Sequence, residues 1–173
     1  PVKILLVGFM GCGKSAVGRL LAERLGIAFV DLDAEIVRVA GRPIADLFAE
    51  RGEAGFRELE RDVAESALRH GPSAVVAAGG GMPVAEANRQ MVRETNTLVV
   101  HIDIAFEEAW RRIAHDGARP LAHDAEAARG LFEAREPIYR DFCDTCAETG
   151  AHTTPEDVAA AIARALEDHG APT

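Results

Sequence analysis

The stretch Gly8-Phe9-Met10-Gly11-Cys12-Gly13-Lys14-Ser15 fits the pattern G-x-x-x-x-G-K-[ST] and joins two segments of different periodicity. Before it, Lys3 to Val7 is a short, almost continuously apolar run, as expected of a parallel strand buried on both faces. After it, Val17, Leu20, Leu21 and Leu25 recur at helical spacing, and Gly26 stands where a helix ends. A strand, a glycine loop and a helix in this order constrain the fold strongly. The glycines let main-chain N–H groups turn inward, and the helix starting at Lys14 points its positive end at the same place. That is a cradle for a chain of phosphates. Gly11, Cys12, Gly13, Lys14, Ser15 and Ala16 are its candidate nucleotide contacts. Lys14 suits the β- and γ-phosphates, and the Ser15 hydroxyl suits Mg²⁺.

The remaining pattern alternates. A second strand is expected at Ile27 to Val30, running into Asp31. Helices are expected at Ala34 to Ala40, Ile44 to Arg51 and Ala54 to His70, with Gly41 and Gly52 between them. Ala74 to Ala78 reads as a third strand entering Gly79-Gly80-Gly81, and Leu98 to Ile102 as a fourth, followed by a helix from Phe106 to His115. Asp116 to Ala125 has no clear period and reads as a loop. A helix from about Glu126 to Tyr139 and a fifth strand at Cys146 to Thr149 follow. The last helix has Thr154 as N-cap, Pro155 at its first position, and Val158, Ile162 and Leu166 on its buried stripe. Apolar strands alternating with helices predict an α/β fold with a five-stranded parallel sheet covered on both faces. No linker or internal repeat interrupts it, so one domain is expected over residues 1–173.

Charge and cysteine usage narrow the class. The net charge of −9 over 173 residues offers no basic surface for nucleic acid or an anionic membrane. A site for an anionic acceptor must therefore be basic locally, against the overall field. Three cysteines, Cys12, Cys143 and Cys146, make no disulfide framework, and Ile4 to Val7 is too short for a leader or a membrane span. A cytoplasmic setting is the expectation. Guanine specificity is disfavoured: Asn88 and Asn96 are not followed by lysine, and no D-x-x-G occurs.

Three features point to an acceptor beside the phosphates. Asp31-Leu32-Asp33 follows the second strand, expected next to the first, where ligands gather at the carboxyl ends of such sheets. On an extended segment the two carboxylates point apart, one toward a metal and one toward hydroxyl groups. Asp33 read alone also suits an N-cap for the helix at Ala34. Three successive glycines at 79–81 imply that something approaches the main chain closely, or else a plain tight turn. Arg57, near a helix start, opposes the helix dipole, so a substrate carboxylate would explain it, while an exposed or salt-bridged arginine is the plainer alternative.

Together these segments resemble the shikimate kinases. The glycine-lysine loop, Asp31-x-Asp33, Gly41-Arg42-x-Ile44, Phe56-Arg57-x-x-Glu60, Gly79-Gly80-Gly81, Arg119-Pro120-Leu121 and Arg135-x-Pro137-x-Tyr139 have that family's order and spacing, to about Leu166. The resemblance implies a P-loop fold like that of nucleoside monophosphate kinases. It also implies ATP-dependent phosphorylation of shikimate to shikimate 3-phosphate, a step toward chorismate and the aromatic amino acids. Asp33, Arg57, Gly79, Gly80, Gly81 and Arg135 are implied to bind shikimate, within an acceptor segment at about 33–61. Ile44, Phe48 and Phe56 are implied as its apolar walls. Asp31 is implied to hold Mg²⁺ through water, beside Ser15. A lid at about 112–125 is implied to bring Arg119 to the phosphates, with Arg112 and Pro155 near adenine. Lys14, Asp33 and Arg119 are the implied catalytic residues. A monomer acting on small molecules is implied.

The chain departs from the family pattern at Ala16, where Thr or Ser is usual, so weaker nucleotide binding is expected. Ala122 likewise replaces a second Leu after Arg119-Pro120-Leu121. Cys143-x-x-Cys146 has half a zinc motif's spacing but no second pair, and a packing role is expected of it. His115 and His123 are expected to be solvated. A kinase for another polyhydroxy acid such as gluconate, and a catalytically silent nucleotide-binding module, are the alternative readings.

Overall fold

The computed structural model describes residues 1–115 and 124–168. Five strands, β1 (Lys3–Val7), β2 (Ala28–Asp31), β3 (Ala74–Ala77), β4 (Thr97–Ile104) and β5 (Thr145–Thr149), form one sheet in the order β2-β3-β1-β4-β5. Every pairing is parallel, with Leu5 opposite Val76 on one side and Val99 on the other. Among the described residues seven helices flank it: α1 (Lys14–Leu25), α2 (Leu32–Ala40), α3 (Ile44–Arg69), α4 (Glu86–Arg93), α5 (Phe106–His115), α6 (Ala125–Phe142) and α7 (Pro155–Asp168).

The core follows from the apolar runs. All five residues of β1 and all four of β3 are buried, because helices cover both faces of the central strands. At the start of β1 the buried Lys3 ammonium donates to the carbonyls of Ala67, His70 and Pro72 at 2.7, 2.9 and 2.7 Å. A cation thereby meets the carbonyl-rich end of α3 and ties it to the sheet.

Four local expectations change. The second strand lies beside β3, not β1, since parallel neighbours are chosen by long crossovers that periodicity does not encode. Leu32 and Asp33 already belong to α2, so the Asp31–Asp33 segment is not extended. The cap is Asp31, whose carboxylate accepts from the Ala34 amide at 3.2 Å, and Asp33 sits in the first turn. Finally, Met82–Val84 forms a 3₁₀ turn leading into α4, in a stretch where no helix was expected. Gly52, read as a break, is one: α3 continues across it only as a kink, with φ 67° and ψ −179°.

Candidate active site

The loop after β1 wraps a cleft of about 320 Å³, within the range of small-molecule sites. Gly11, Gly13, Lys14, Ser15 and Ala16 line it on one side and Asp31, Asp33, Gly79 and Gly80 on the other, with Arg112 at its margin. Gly11 and Gly13 have φ of 83° and 91°, in the left-handed region where a side chain is strained. Between them Cys12 is fully buried and fills the base of the loop. Lys14 folds back, its Nζ donating to the carbonyls of Gly8 at 2.7 Å and Phe9 at 3.3 Å. Its ammonium is thus held at the mouth of the loop.

The Ser15 hydroxyl donates to Asp31 Oδ2 at 2.8 Å. A hydroxyl and a carboxylate side by side are the hard oxygen donors that suit Mg²⁺. Both lie at the lip of the cleft, so the residues fit that ion. The Asp31 carboxylate therefore has two clients, the helix cap and Ser15.

Arg112 is fixed by four partners. Glu108 Oε1 accepts from its Nε at 2.9 Å, the Gly11 carbonyl from its Nη1 at 3.2 Å, and the Gly150 carbonyl and Thr149 hydroxyl from its Nη2 at 3.1 and 3.5 Å. Hydrogen bonds from Arg111 and Arg112 hold the Glu108 carboxyl down at about 2. Arg112 so links α5, the glycine loop and the turn after β5. Pro155 opens α7 and is exposed, and it is not among the residues lining the cleft. Arg119 lies outside the described residues, with most of the expected lid. His115 is exposed as expected, and His123 lies outside the described residues.

The triple glycine explains itself when a Cβ is imagined on each residue. At Gly79 it would sit 2.8 Å from Asp33 Oδ1. At Gly80 it would lie 3.5 Å from Arg135 Nη1. At Gly81 it would overlap the Arg57 guanidinium and come within 3.1 Å of Arg135 Nη2. What crowds this main chain is a ring of two carboxylates, Asp33 and Glu60, and two guanidinium groups, from α2, α3 and α6. Its floor is braced by Tyr139, whose hydroxyl donates to the Gly80 carbonyl at 2.6 Å. Burial raises the Tyr139 phenol above its ordinary range, so it keeps the proton it donates.

Glu60 is the residue that sequence reasoning quoted but gave no task. It is buried, accepts from Arg57 Nη1 at 2.7 Å, and lies 3.4 Å from the amide nitrogen of the buried Asn88. Burial raises its carboxyl, with Arg57 pulling the other way. Phe48 and Phe56 stack at 4.1 Å, and the Arg57 guanidinium lies over both rings at 5.8 and 5.4 Å. Arg57 is thus clamped from two sides. The signal for Glu60 was available: Phe56, Glu60, Val63 and Ala64 share one helical stripe, so position 60 faces inward.

The packing role expected of Cys143 and Cys146 fails for Cys146, which is exposed on β5 while Cys143 is half-buried. Cys146 is pushed up to about 11 and Cys143 is also raised, both chiefly by desolvation of the thiol.

Comparison with known proteins agrees with this geometry. Residues 10–167 match the family model for shikimate kinase. A shikimate kinase from Thermobifida fusca is 42% identical over 168 residues, 96% of this chain and 95% of its own. The structure of shikimate kinase from Acinetobacter baumannii in complex with shikimate superposes with a TM-score of 0.88 at 34% identity, covering 99% of this chain and 96% of that one. That of Aquifex aeolicus gives 0.83 at 33%, covering 98% and 99%. A gluconokinase from Sinorhizobium meliloti shares 17% identity at a TM-score of 0.62, covering 98% of both chains, a likeness of fold alone.

Proposed function

The chain belongs to the shikimate kinase family, and from that premise we propose how its own residues carry the activity. The protein is an ATP-dependent kinase that phosphorylates shikimate, in the route to aromatic amino acids. The observation that carries this reading is the group of Asp33, Arg57 and Arg135 around the triple glycine, of which Asp33, Gly79 and Gly80 line one cleft with Lys14 and Ser15.

The acceptor is a ring acid bearing hydroxyls. Arg57 and Arg135 take its carboxylate as two charge-assisted donors, with Glu60 and the Phe48–Phe56 stack setting the angle of Arg57. Asp33 and the main chain of Gly79 to Gly81 take the hydroxyls. The nucleotide lies along Gly11 to Ala16, with its phosphates at the helix N-terminus and Arg112 beside it. Ser15, and Asp31 through water, would hold Mg²⁺, which would supply charge compensation to the phosphates when bound.

The acceptor oxygen attacks the γ-phosphorus as the bond to the β,γ-bridging oxygen breaks, giving shikimate 3-phosphate and ADP, and the hydroxyl proton passes to Asp33. Because such transition states are loose, the protein contributes position and charge rather than covalent steps. Lys14 is within reach of the developing charge, and Arg119 is assigned to the same task by family resemblance. The lid assigned to about 112–125 excludes water. A single kinase domain, monomeric and cytoplasmic, acting without nucleic acid or membrane, completes the proposal. No helix among the described residues is long and apolar enough to cross a membrane.

A panel of shikimate, quinate and gluconate with ATP in a coupled ADP assay tests this. Turnover of shikimate at least about 100-fold above the others is expected, since a site built on hydroxyl contacts can reject an analogue lacking one by about 10⁴-fold. Preference for gluconate would favour the alternative kinase, and ATP binding without any turnover would favour the silent module.

A further inference from the structure

Between β4 and α6, beside Tyr139, three side chains meet that the kinase chemistry does not use. His101 and Asp103 are two apart on β4 and so project from the same face of the sheet, toward Glu136 on α6. One ligand atom from each lies within 4.8 Å of the other two. His101 is fully buried and Glu136 is 6% exposed. His101 Nε2 and both Glu136 carboxylate oxygens lack a hydrogen-bond partner, a state shared among the described residues only with Asn88 Oδ1.

A buried carboxylate with no donor is costly, and native structures rarely leave one so. The neighbouring cation does not supply the donor. Arg140 stands 3.5 Å from Glu136 Oε2 and 3.6 Å from Asp103 Oδ2, and its side chain is 66% exposed. The spacing suits a metal instead. His101 Nε2 and Glu136 Oε1 are 3.6 Å apart, close to the roughly 3.3–3.5 Å edge of a tetrahedron built on bonds of about 2.0–2.2 Å. His101 Nδ1 lies 3.9 Å from Cys146 Sγ, so its other nitrogen is directed at the carboxylates. One imidazole and two carboxylates match a borderline ion rather than Ca²⁺ or Mg²⁺, which prefer all-oxygen sites.

We propose that His101, Asp103 and Glu136 form a binding site for one divalent transition-metal ion of the Zn²⁺ kind, which ties α6 to β4. Glu136 adjoins Arg135 in sequence, and Tyr139 lies one turn on, its ring centroid 5.5 Å from that of His101. The site therefore anchors the helix that presents Arg135 to the acceptor.

The test is Zn²⁺ titration by calorimetry of the full chain, stripped with chelator and free of nucleotide, alongside the melting temperature and the visible spectrum of the Co²⁺-loaded protein. One equivalent bound, a raised melting temperature and a tetrahedral Co²⁺ spectrum are expected. Affinity should fall by at least about 10–100-fold in Asp103→Asn, and saturable binding should vanish in Glu136→Gln. Asp103 is only half-buried, so its variant carries the test should Glu136→Gln fail to fold. Asp31→Asn and Cys143→Ser should bind as the parent does. The proposal is overturned if the parent chain takes up no stoichiometric Zn²⁺, leaving His101 and Glu136 as a plain ion pair. It is equally overturned if binding survives Asp103→Asn unchanged, or is lost with Asp31 or with Cys143.

Discussion

Glu60→Gln isolates the clamp on Arg57 while keeping shape and volume. In the parent chain the buried carboxylate accepts from Arg57 Nη1 at 2.7 Å. A charge-assisted hydrogen bond is worth about 1.5–3 kcal/mol net, and exchanging the carboxylate for an amide oxygen, with Arg57 still charged, forfeits roughly half of it or more. The difference, about 1–2 kcal/mol, converts to about 5- to 30-fold at about 1.36 kcal/mol per decade. That loss should fall on kcat/KM for shikimate, because a loosened Arg57 no longer waits at the angle the carboxylate needs. KM for ATP should stay within about twofold, and the circular dichroism spectrum should not change. Steady-state kinetics with both substrates varied provides the assay, and the double variant with Arg57→Lys should be clearly less than additive. The reasoning is refuted if shikimate kinetics are unaffected, or if the ATP and shikimate constants worsen together.

Other expectations follow from the same geometry. In Gly81→Ala the new methyl group displaces the Arg57 guanidinium and crowds Arg135, so kcat/KM for shikimate should fall more than about 100-fold while nucleotide binding, read by calorimetry, persists. Tyr139→Phe leaves the half-buried Gly80 carbonyl without its protein donor, costing about 0.5–1.5 kcal/mol, which a thermal melt should show as a drop of about 1–6 °C. Glu60 has a raised carboxyl in the folded chain, so the native state holds its proton more tightly than the unfolded one. Its contribution to stability therefore falls as pH rises from the ordinary glutamate value through that raised value, and Glu60→Gln should flatten this part of the stability profile in denaturant melts. Lys14→Ala should abolish turnover yet melt within a few degrees of the parent, since Nζ bonds only to loop carbonyls and the Cys12 thiol.

What was legible in the sequence is what local patterns encode. The strand-loop-helix around Lys14, the breaks at Gly41 and Gly52 and the capped start of α7 depend on neighbours in the chain, and the structure has them where expected. The position of β2 was not legible, because strand order depends on contacts distant in sequence. The helix α4 was missed because it is short and polar, with only Asn88, Met91 and Val92 buried. In the site, the triple glycine correctly signalled close approach, but the groups that approach include Asp33, Arg57 and Arg135 themselves. Asp31 doubles as the cap because Leu32 begins the helix at once, which an extended reading of Asp31-Leu32-Asp33 hides. The His101–Glu136 contact joins β4 to α6, and spacing along the chain says nothing of it.

A crystal structure of the chain with ADP, Mg²⁺ and shikimate tests the central claim most directly. The account predicts the shikimate carboxylate between Arg57 and Arg135, its ring over Gly79 to Gly81, and one hydroxyl on Asp33 facing the β-phosphate across the cleft. Shikimate seated away from both guanidinium groups, with the nucleotide in place along Gly11 to Ser15, would contradict it.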